Sequence, residues 1–481
     1  MKNIKNTLAF FMALFLLQSC SDDKMDEINS NLNNPLDAPT RFVITDVMTA
    51  SAFSVTGSDN SFYAGVYAEL NAGCFGQMFD AQRRSGLPQL ASTYNNTWNS
   101  SYIQLRTLKG IIEKCSVGGS EAGNNTTLGI AQVLYAYNLA ILTDLFGDVP
   151  YSEALNPNVN KQPKLDKQEA IYTEVFNNLN EGIANLNRTS ISYGSIVNQD
   201  LIYAGSAAKW KKAANALLAR YTMRLSLKRP DYQGVINYVD ASFANASEEL
   251  KLVNSLVPNP YARFELDRRA LAVSKSFYNR LVANGAADAR LDGMFTKKSG
   301  AVRPYNNSIS TEPDLQGFYS ISALISEKNP IYMMSYHELL FLKAEAQARL
   351  NQDANALATL KLAIKAAYLK DQFVKFTAAQ ADTYIATIPN LTGNDLLKKI
   401  MVEKHISFYE NEGVEAYNDI RRLQALGNGD LIPLVHPNPE LFPKRFGYGN
   451  SDVLANPNVK AAFGDGNYVY TENVWWAGGT R

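Results

Sequence analysis

Apolar side chains recurring at steps of three and four residues constrain this chain more than any other feature, because only a helix brings such positions onto one face. Between Gly129 and Gly147 the stripe is Ile130, Leu134, Tyr137, Ile141 and Leu145, and Gly147 and Pro150 stop it. The next begins near Lys167, with Asp166 placed to cap it, and carries Ile171, Val175, Leu179, Ile183 and Leu186. A third runs from about Ala207 to Lys228 through Trp210, Ala214, Leu217, Tyr221 and Leu225, and Pro230 ends it. A fourth covers about Pro330 to Leu350 with Leu339, Leu342 and Ala346. Asp353 is placed to cap a fifth, striped by Leu357, Leu360 and Ile364. Asp395 to Glu412 and Val414 to Leu423 complete the set, broken at Gly413. Short breaks join successive helices, which predicts antiparallel pairs over about 129–187, 207–245, 330–370 and 395–424.

The pair from Tyr336 to Ala367 carries Ala344, Ala346 and Ala348, the small-residue spacing that lets helices approach closely, and it resembles a tetratricopeptide unit. The pairs keep no fixed period, and irregular stretches at about 253–316 and 427–481, rich in Pro, Gly and Asn, interrupt them. The expected fold is therefore all-α. Tetratricopeptide-like pairs pack with an irregular, loop-rich ligand-binding region inside one domain, 41–481, rather than in a regular solenoid. Irregular segments of this length in a compact protein usually serve function.

The N-terminus reads as an export signal. Lys2 and Lys5 precede an apolar run, Leu8 to Leu17, too short to span a bilayer. Leu17-Gln18-Ser19-Cys20 resembles a bacterial lipobox, so residues 1–19 are expected to be removed and Cys20 to be lipidated. Residues 20–40 form a polar, acidic tether. Its opening resembles the tract that directs lipoproteins of Bacteroidetes-type bacteria to the outer face of the outer membrane. No second stretch is expected to cross a membrane. With Cys20 acylated, Cys74 and Cys115 remain, and an oxidising compartment would let them pair if their Cβ atoms meet. Lys+Arg and Asp+Glu are both 46, which argues against a nucleic-acid partner.

Local signatures of covalent chemistry are missing. His337-Glu338 opens like a zinc-protease motif, but Phe341 stands where the second ligand belongs. Glu403 and His405 are two apart and do not share a helix face. Glu410, Glu412, Glu415 and Asp419 beside Arg421 and Arg422 read as an ion-pair network. No catalytic residue, cofactor or metal is expected. The turns Gly427 to Asp430 and Gly464 to Asn467 offer oxygens to calcium without the EF-hand pattern. Glycosidase carboxylates carry no local motif, so an exported hydrolase stays open as an alternative.

Several stretches together resemble SusD-like (SusD/RagB) outer-membrane lipoproteins. They are Met25 to Pro35, Trp98 with Tyr102, Asp144 to Ala154, Asp288 to Phe295 (with Ala289 for the family's proline) and Glu403 to Arg422 (with Tyr417 for a frequent Trp). The resemblance implies four tetratricopeptide-like pairs, a SusC-like TonB-dependent barrel as partner, and capture of oligosaccharides, or in some members peptides, without covalent chemistry. It also implies that ligand lies away from the repeats. Two stretches fit: Phe75, Gln77, Phe79, Asp80, Arg83 and Tyr94, then Tyr305, Asn306, Phe318 and Tyr319. Trp98 reads as packing, Trp475 and Trp476 as docking the C-terminal tail, and Asp144, Asp148, Arg421 and Arg422 as caps and ion pairs.

Overall fold

The computed structural model describes residues 38–481, apart from 85, 157, 254–257 and 372–374. Cys20, the signal segment and most of the tether lie outside the described residues. Helices α1 (Thr40–Ala50), α2 (Asp59–Tyr67), α3 (Gly76–Arg83) and α4 (Asn95–Cys115) come first. Each apolar stripe then becomes a helix: α5 (Asn125–Phe146) with α6 (Gln168–Leu186), and α7 (Ala207–Arg224) with α8 (Tyr232–Asp240). Next come α9 (Pro260–Arg268), α10 (Lys275–Asn284) and α11 (Arg290–Gly293), and then the pair α12 (Tyr336–Arg349) and α13 (Asp353–Tyr368). After α14 (Ala378–Ile385) the last pair is α15 (Gly393–Ser407) and α16 (Gly413–Ala425). The first three expected pairs pack helix against helix, whereas α15 packs on α12 and α13 and α16 on α2, the two being joined by the Lys404–Asp419 ion pair. Strands are few and short, and the one that matters for the site is the antiparallel ribbon of Asn71–Gly73 with Leu271–Val273.

Close approach and buried charge hold the pairs together. At Gly129 of α5 a Cβ would lie 2.8 Å from the carbonyl oxygen of Gly182 on α6, and at Gly182 a Cβ would lie 3.2 Å from that of Gly129, so the two backbones nearly touch. Arg224 reaches from α7 to Asp144 of α5 at 3.3 Å and also grips Glu415 of α16. Arg220 makes two parallel bonds to Glu338 of α12, at 2.8 and 2.5 Å. Arg422 of α16 does the same to Glu345 of α12, both at 2.7 Å. These buried contacts, two of them bidentate, tie α5, α7, α12 and α16 together. Asp419 pairs with Lys404 and Arg422, Glu412 with His337 and Lys370, and Glu415 with Arg224, as the sequence suggests. Glu410 instead accepts from the Ser322 hydroxyl, and Arg421 donates to the Asp144 and Lys444 carbonyls and to Asn418 rather than to a carboxylate.

The family-like segments have structural reasons. Gly147 ends α5 at φ 77°, and Asp148 accepts the backbone N–H of Gln168 at 2.9 Å, capping α6. Arg290 is fully buried between Asp288 and Glu403, at 2.9 and 2.7 Å. Trp98 is buried, its Nε1 donating to Asp452 at 2.6 Å. Trp476 is buried against Arg224 and Arg421, which docks the tail.

Some expectations fail. Asp166 does not cap α6; its carboxylate accepts from Tyr151 and Ser152 instead, and Asp353 is the first residue of α13 rather than its cap. The fourth stripe opens as a strand, Ile331–Met334, and Ser335 caps the helix after it. The stretch 253–316 holds three helices, α9 to α11. Helix α5 is long and apolar enough to span a bilayer by composition, against the sequence reading, yet it is buried along its length as the central core helix. His337 lies fully inside the core, its Nε2 3.0 Å from Glu412. Cys74 and Cys115 are both buried and free.

Candidate ligand-binding face

Helix α3 follows the two-stranded ribbon directly, and its surroundings gather both stretches singled out in the sequence. Ala72, Cys74, Ala272, Tyr305 and Tyr319 form a small apolar cluster separate from the main core, with Phe79 packed on it. The ribbon makes this possible, because residues after Val273 continue it. Tyr305 N–H donates to the Val273 carbonyl at 3.0 Å, Val273 N–H to Ser320 at 2.9 Å, and Leu315 N–H to Cys74 at 2.9 Å. The arm from Arg303 to Ser320 is thereby laid beside α3. Tyr305 and Tyr319 are the floor, with rings edge-to-face at 5.1 Å, and Phe318, 44% exposed, meets Tyr319 at 5.1 Å.

A cavity flanks each end of α3. At its N-terminal end, about 410 Å³ is lined by Phe75, Gln77, Phe264 and Ala270 with Asp59, Asn96 and Arg268 among others. Phe75 is 38% exposed, and Phe264 stacks on Phe62 at 4.4 Å, so two phenyl rings border the space. Burial, only partly offset by a hydrogen bond from Asn96, raises the Asp59 carboxyl above its ordinary range. At the C-terminal end, about 210 Å³ is lined by Gln82, Arg83, Tyr305, Ile309, His436 and Leu441, among others.

The second cavity depends on a loop brought in from far along the chain. Glu69, at φ 58°, is buried, and its carboxylate accepts the N–H groups of Val435 and His436, both at 3.0 Å, and the Ser276 hydroxyl at 2.7 Å. His436 Nδ1 accepts from Asn438 N–H at 3.1 Å, so Nε2 carries the proton and donates to the Gln82 carbonyl at 2.8 Å. Burial and the nearby Arg84 guanidinium hold the imidazole down to about 4, and it stays neutral.

Of the residues expected at the site, Phe75, Gln77, Arg83 and Tyr305 line a cavity, while Phe79, Phe318 and Tyr319 border the cluster between them. Asp80 is exposed on α3. Asn306 spends its side-chain oxygen on Ser308, closing a turn. Tyr94 is a correction: it is buried in the core, stacked on Phe446 at 4.1 Å and bonded to the Tyr67 hydroxyl at 2.9 Å. Asp59, Asn96, Phe264, Arg268, Ile309 and His436 were not anticipated. They meet only through the tertiary fold, and no local pattern marks them. Among the described residues no group of three acidic, His or Cys side chains is placed to hold a metal. Asp465 accepts from Asn467 with both of its carboxylate oxygens.

Residues 41–449 match the SusD-like family described as starch-binding and associating with the outer membrane. A SusD/RagB family protein from Bacteroides thetaiotaomicron is 36% identical and superposes with a TM-score of 0.86, over 92% of this chain and 100% of its own. The chain belongs to the SusD-like family. A chitin-binding SusD homologue from Flavobacterium johnsoniae shares the fold at 20% identity and TM-score 0.71, over 90% of this chain and 98% of its own. A SusD homologue from Bacteroides fragilis does so at 19% and 0.71, over 91% and 99%. No curated protein matches the sequence. In this SusD-like chain the repeats supply rigidity, while the ribbon, α3 and two distant loops build the concave face.

Proposed function

We propose that this protein is a lipid-anchored outer-membrane receptor, facing the cell exterior, that captures oligosaccharides and delivers them to a SusC-like TonB-dependent barrel. The family match over residues 41–449 carries the reading. The α3 face supports it chemically: glycan capture calls for aromatic faces and planar polar side chains around a pre-formed concavity, and Phe75, Phe264, Gln77, Asn96 and Arg83 supply them. Two structural relatives are chitin-binding proteins, which makes N-acetylglucosamine oligomers sensible first probes.

Binding without turnover is part of the proposal. Asp59 is the one carboxyl raised by burial that lines a cavity at α3 among the described residues, and no second carboxyl lines that cavity beside it. Glu265 (about 8) and Glu410 (about 7) are buried and line neither cavity. Purified protein should retain oligosaccharides on an affinity gel and release them uncut, as read by mass spectrometry. Cleaved product would sink the binding reading in favour of a hydrolase. For the anchor, Cys20→Ala should give an unlipidated, soluble protein that binds glycan normally but supports uptake poorly; membrane retention of that variant would refute the tether.

A further inference from the structure

Five described arginines have a guanidinium that makes no ion pair and donates no hydrogen bond within the protein: Arg83, Arg106, Arg268, Arg269 and Arg303. Four of them surround α3 and its arm. Arg83 lies over the Phe79 ring at 5.8 Å and lines the smaller cavity with Tyr305. Arg303 lies over Phe318 at 4.4 Å. Arg269 runs beside Gly317, the residue before Phe318, and Lys298 bonds the Gly317 carbonyl at 3.0 Å. Arg268 lines the larger cavity with Phe75. Other exposed arginines are partnered: Arg229 with Glu169 at 2.9 Å, and Arg263 with Asp267 at 2.8 Å.

A guanidinium stacked on a ring still presents its in-plane N–H groups outward, and that planar fork matches a carboxylate in two parallel bonds. Three acids, Asp80, Glu312 and Asp314, sit among these cations, so the face is not a uniform positive field. It suits separate carboxylates set along a chain rather than a dense polyanion. The geometry points to a carboxylate-bearing oligosaccharide, one containing uronic acid residues, as the ligand class of the α3 face. This rests on the proposed glycan-binding role and narrows it.

The test is a panel of oligosaccharides of four to six units: oligogalacturonates and alginate oligomers in free-acid and methyl-esterified form, with neutral malto- and chito-oligosaccharides beside them, titrated calorimetrically at low and high salt. The expected result is that free-acid chains bind most tightly, esterification weakens them at least tenfold, and salt weakens them further. Arg83→Ala and Arg303→Ala should each remove most of that preference while melting like the parent. Arg303→Lys, which keeps the charge but loses the fork, should not restore it, and Arg106→Ala should change nothing. Neutral chains binding as tightly as acidic ones, or esterification without effect, would overturn the inference and leave glycan binding standing. Silence across the whole panel would overturn both.

Discussion

In the repeat stack Arg220, Arg224 and Arg422 are buried and each grips at least one carboxylate; around α3, Arg83, Arg268 and Arg269 are exposed, Arg303 is half-buried, and none grips any. The difference separates two uses of one side chain. A buried guanidinium must be matched inside the protein, because removing one partner leaves an unpaired charge where water cannot reach it. A guanidinium at a cavity rim stays solvated at little cost, and it exchanges water for ligand when ligand arrives.

The sharpest way to break this contrast is to unpair the stack. Arg422→Ala leaves Glu345, buried on α12, with only Arg349 at 2.8 Å, and should cost about 3–5 kcal/mol in urea unfolding. Glycan affinity of the protein that remains folded should be unchanged. A loss under about 1 kcal/mol would show that the ladder does not bind the pairs together.

Next in size is the strut beneath the smaller cavity. Glu69→Ala removes the acceptor of the Val435 and His436 N–H groups and of the Ser276 hydroxyl, and should cost about 1–3 kcal/mol. It should also weaken ligand binding, because the loop bearing His436 would be held on α3 only by the His436 bond to the Gln82 carbonyl. Unchanged affinity would remove that loop from the site.

The pH profile sharpens the same comparison. His405 and His436 are held down to about 3 and about 4, chiefly by burial, while unfolded histidine titrates near 6.5. The unfolded chain therefore takes up protons that the folded protein refuses, so their contribution is complete above pH 6.5 and lost as the pH falls toward 4. Glu265 and Glu410 act in the opposite sense. Pushed up to about 8 and about 7, they keep protons in the folded protein that the unfolded chain has released, so stability falls as the pH rises from about 4.3 through 8. Melting temperature should accordingly decline between pH 6.5 and 8, and Glu265→Gln should flatten the decline. A rise over that interval would contradict the assignment.

The smallest effect belongs to the rim. Phe75→Ala should weaken glycan binding about 3- to 10-fold, the worth of one aromatic contact, with stability within about 0.5 kcal/mol of the parent.

The repeats were legible in the sequence because their stripes are long and regular, as in α5 and α12. Helices α9 and α10 were not. In α9 the inward side includes Glu265, a polar residue that breaks the apolar pattern, and each helix is too short to show a stripe. The candidate site was half legible. The density of aromatic and polar side chains from Phe75 to Arg83 marked α3, but Arg268 and His436 reach it through the strand ribbon and through Glu69, which are long-range pairings. Tyr94 misled because tyrosine serves core and surface equally, and here its hydroxyl finds Tyr67 inside.

Hydrogen exchange of the protein with and without saturating oligosaccharide reads directly whether ligand sits on the α3 face. Ligand on that face should give new protection at residues 74–83, 264–270, 303–320 and 435–441. Protection confined instead to the separate cavity of about 390 Å³ lined by Tyr102, Ile103, Arg106, Leu155 and Lys161, among others, would contradict it.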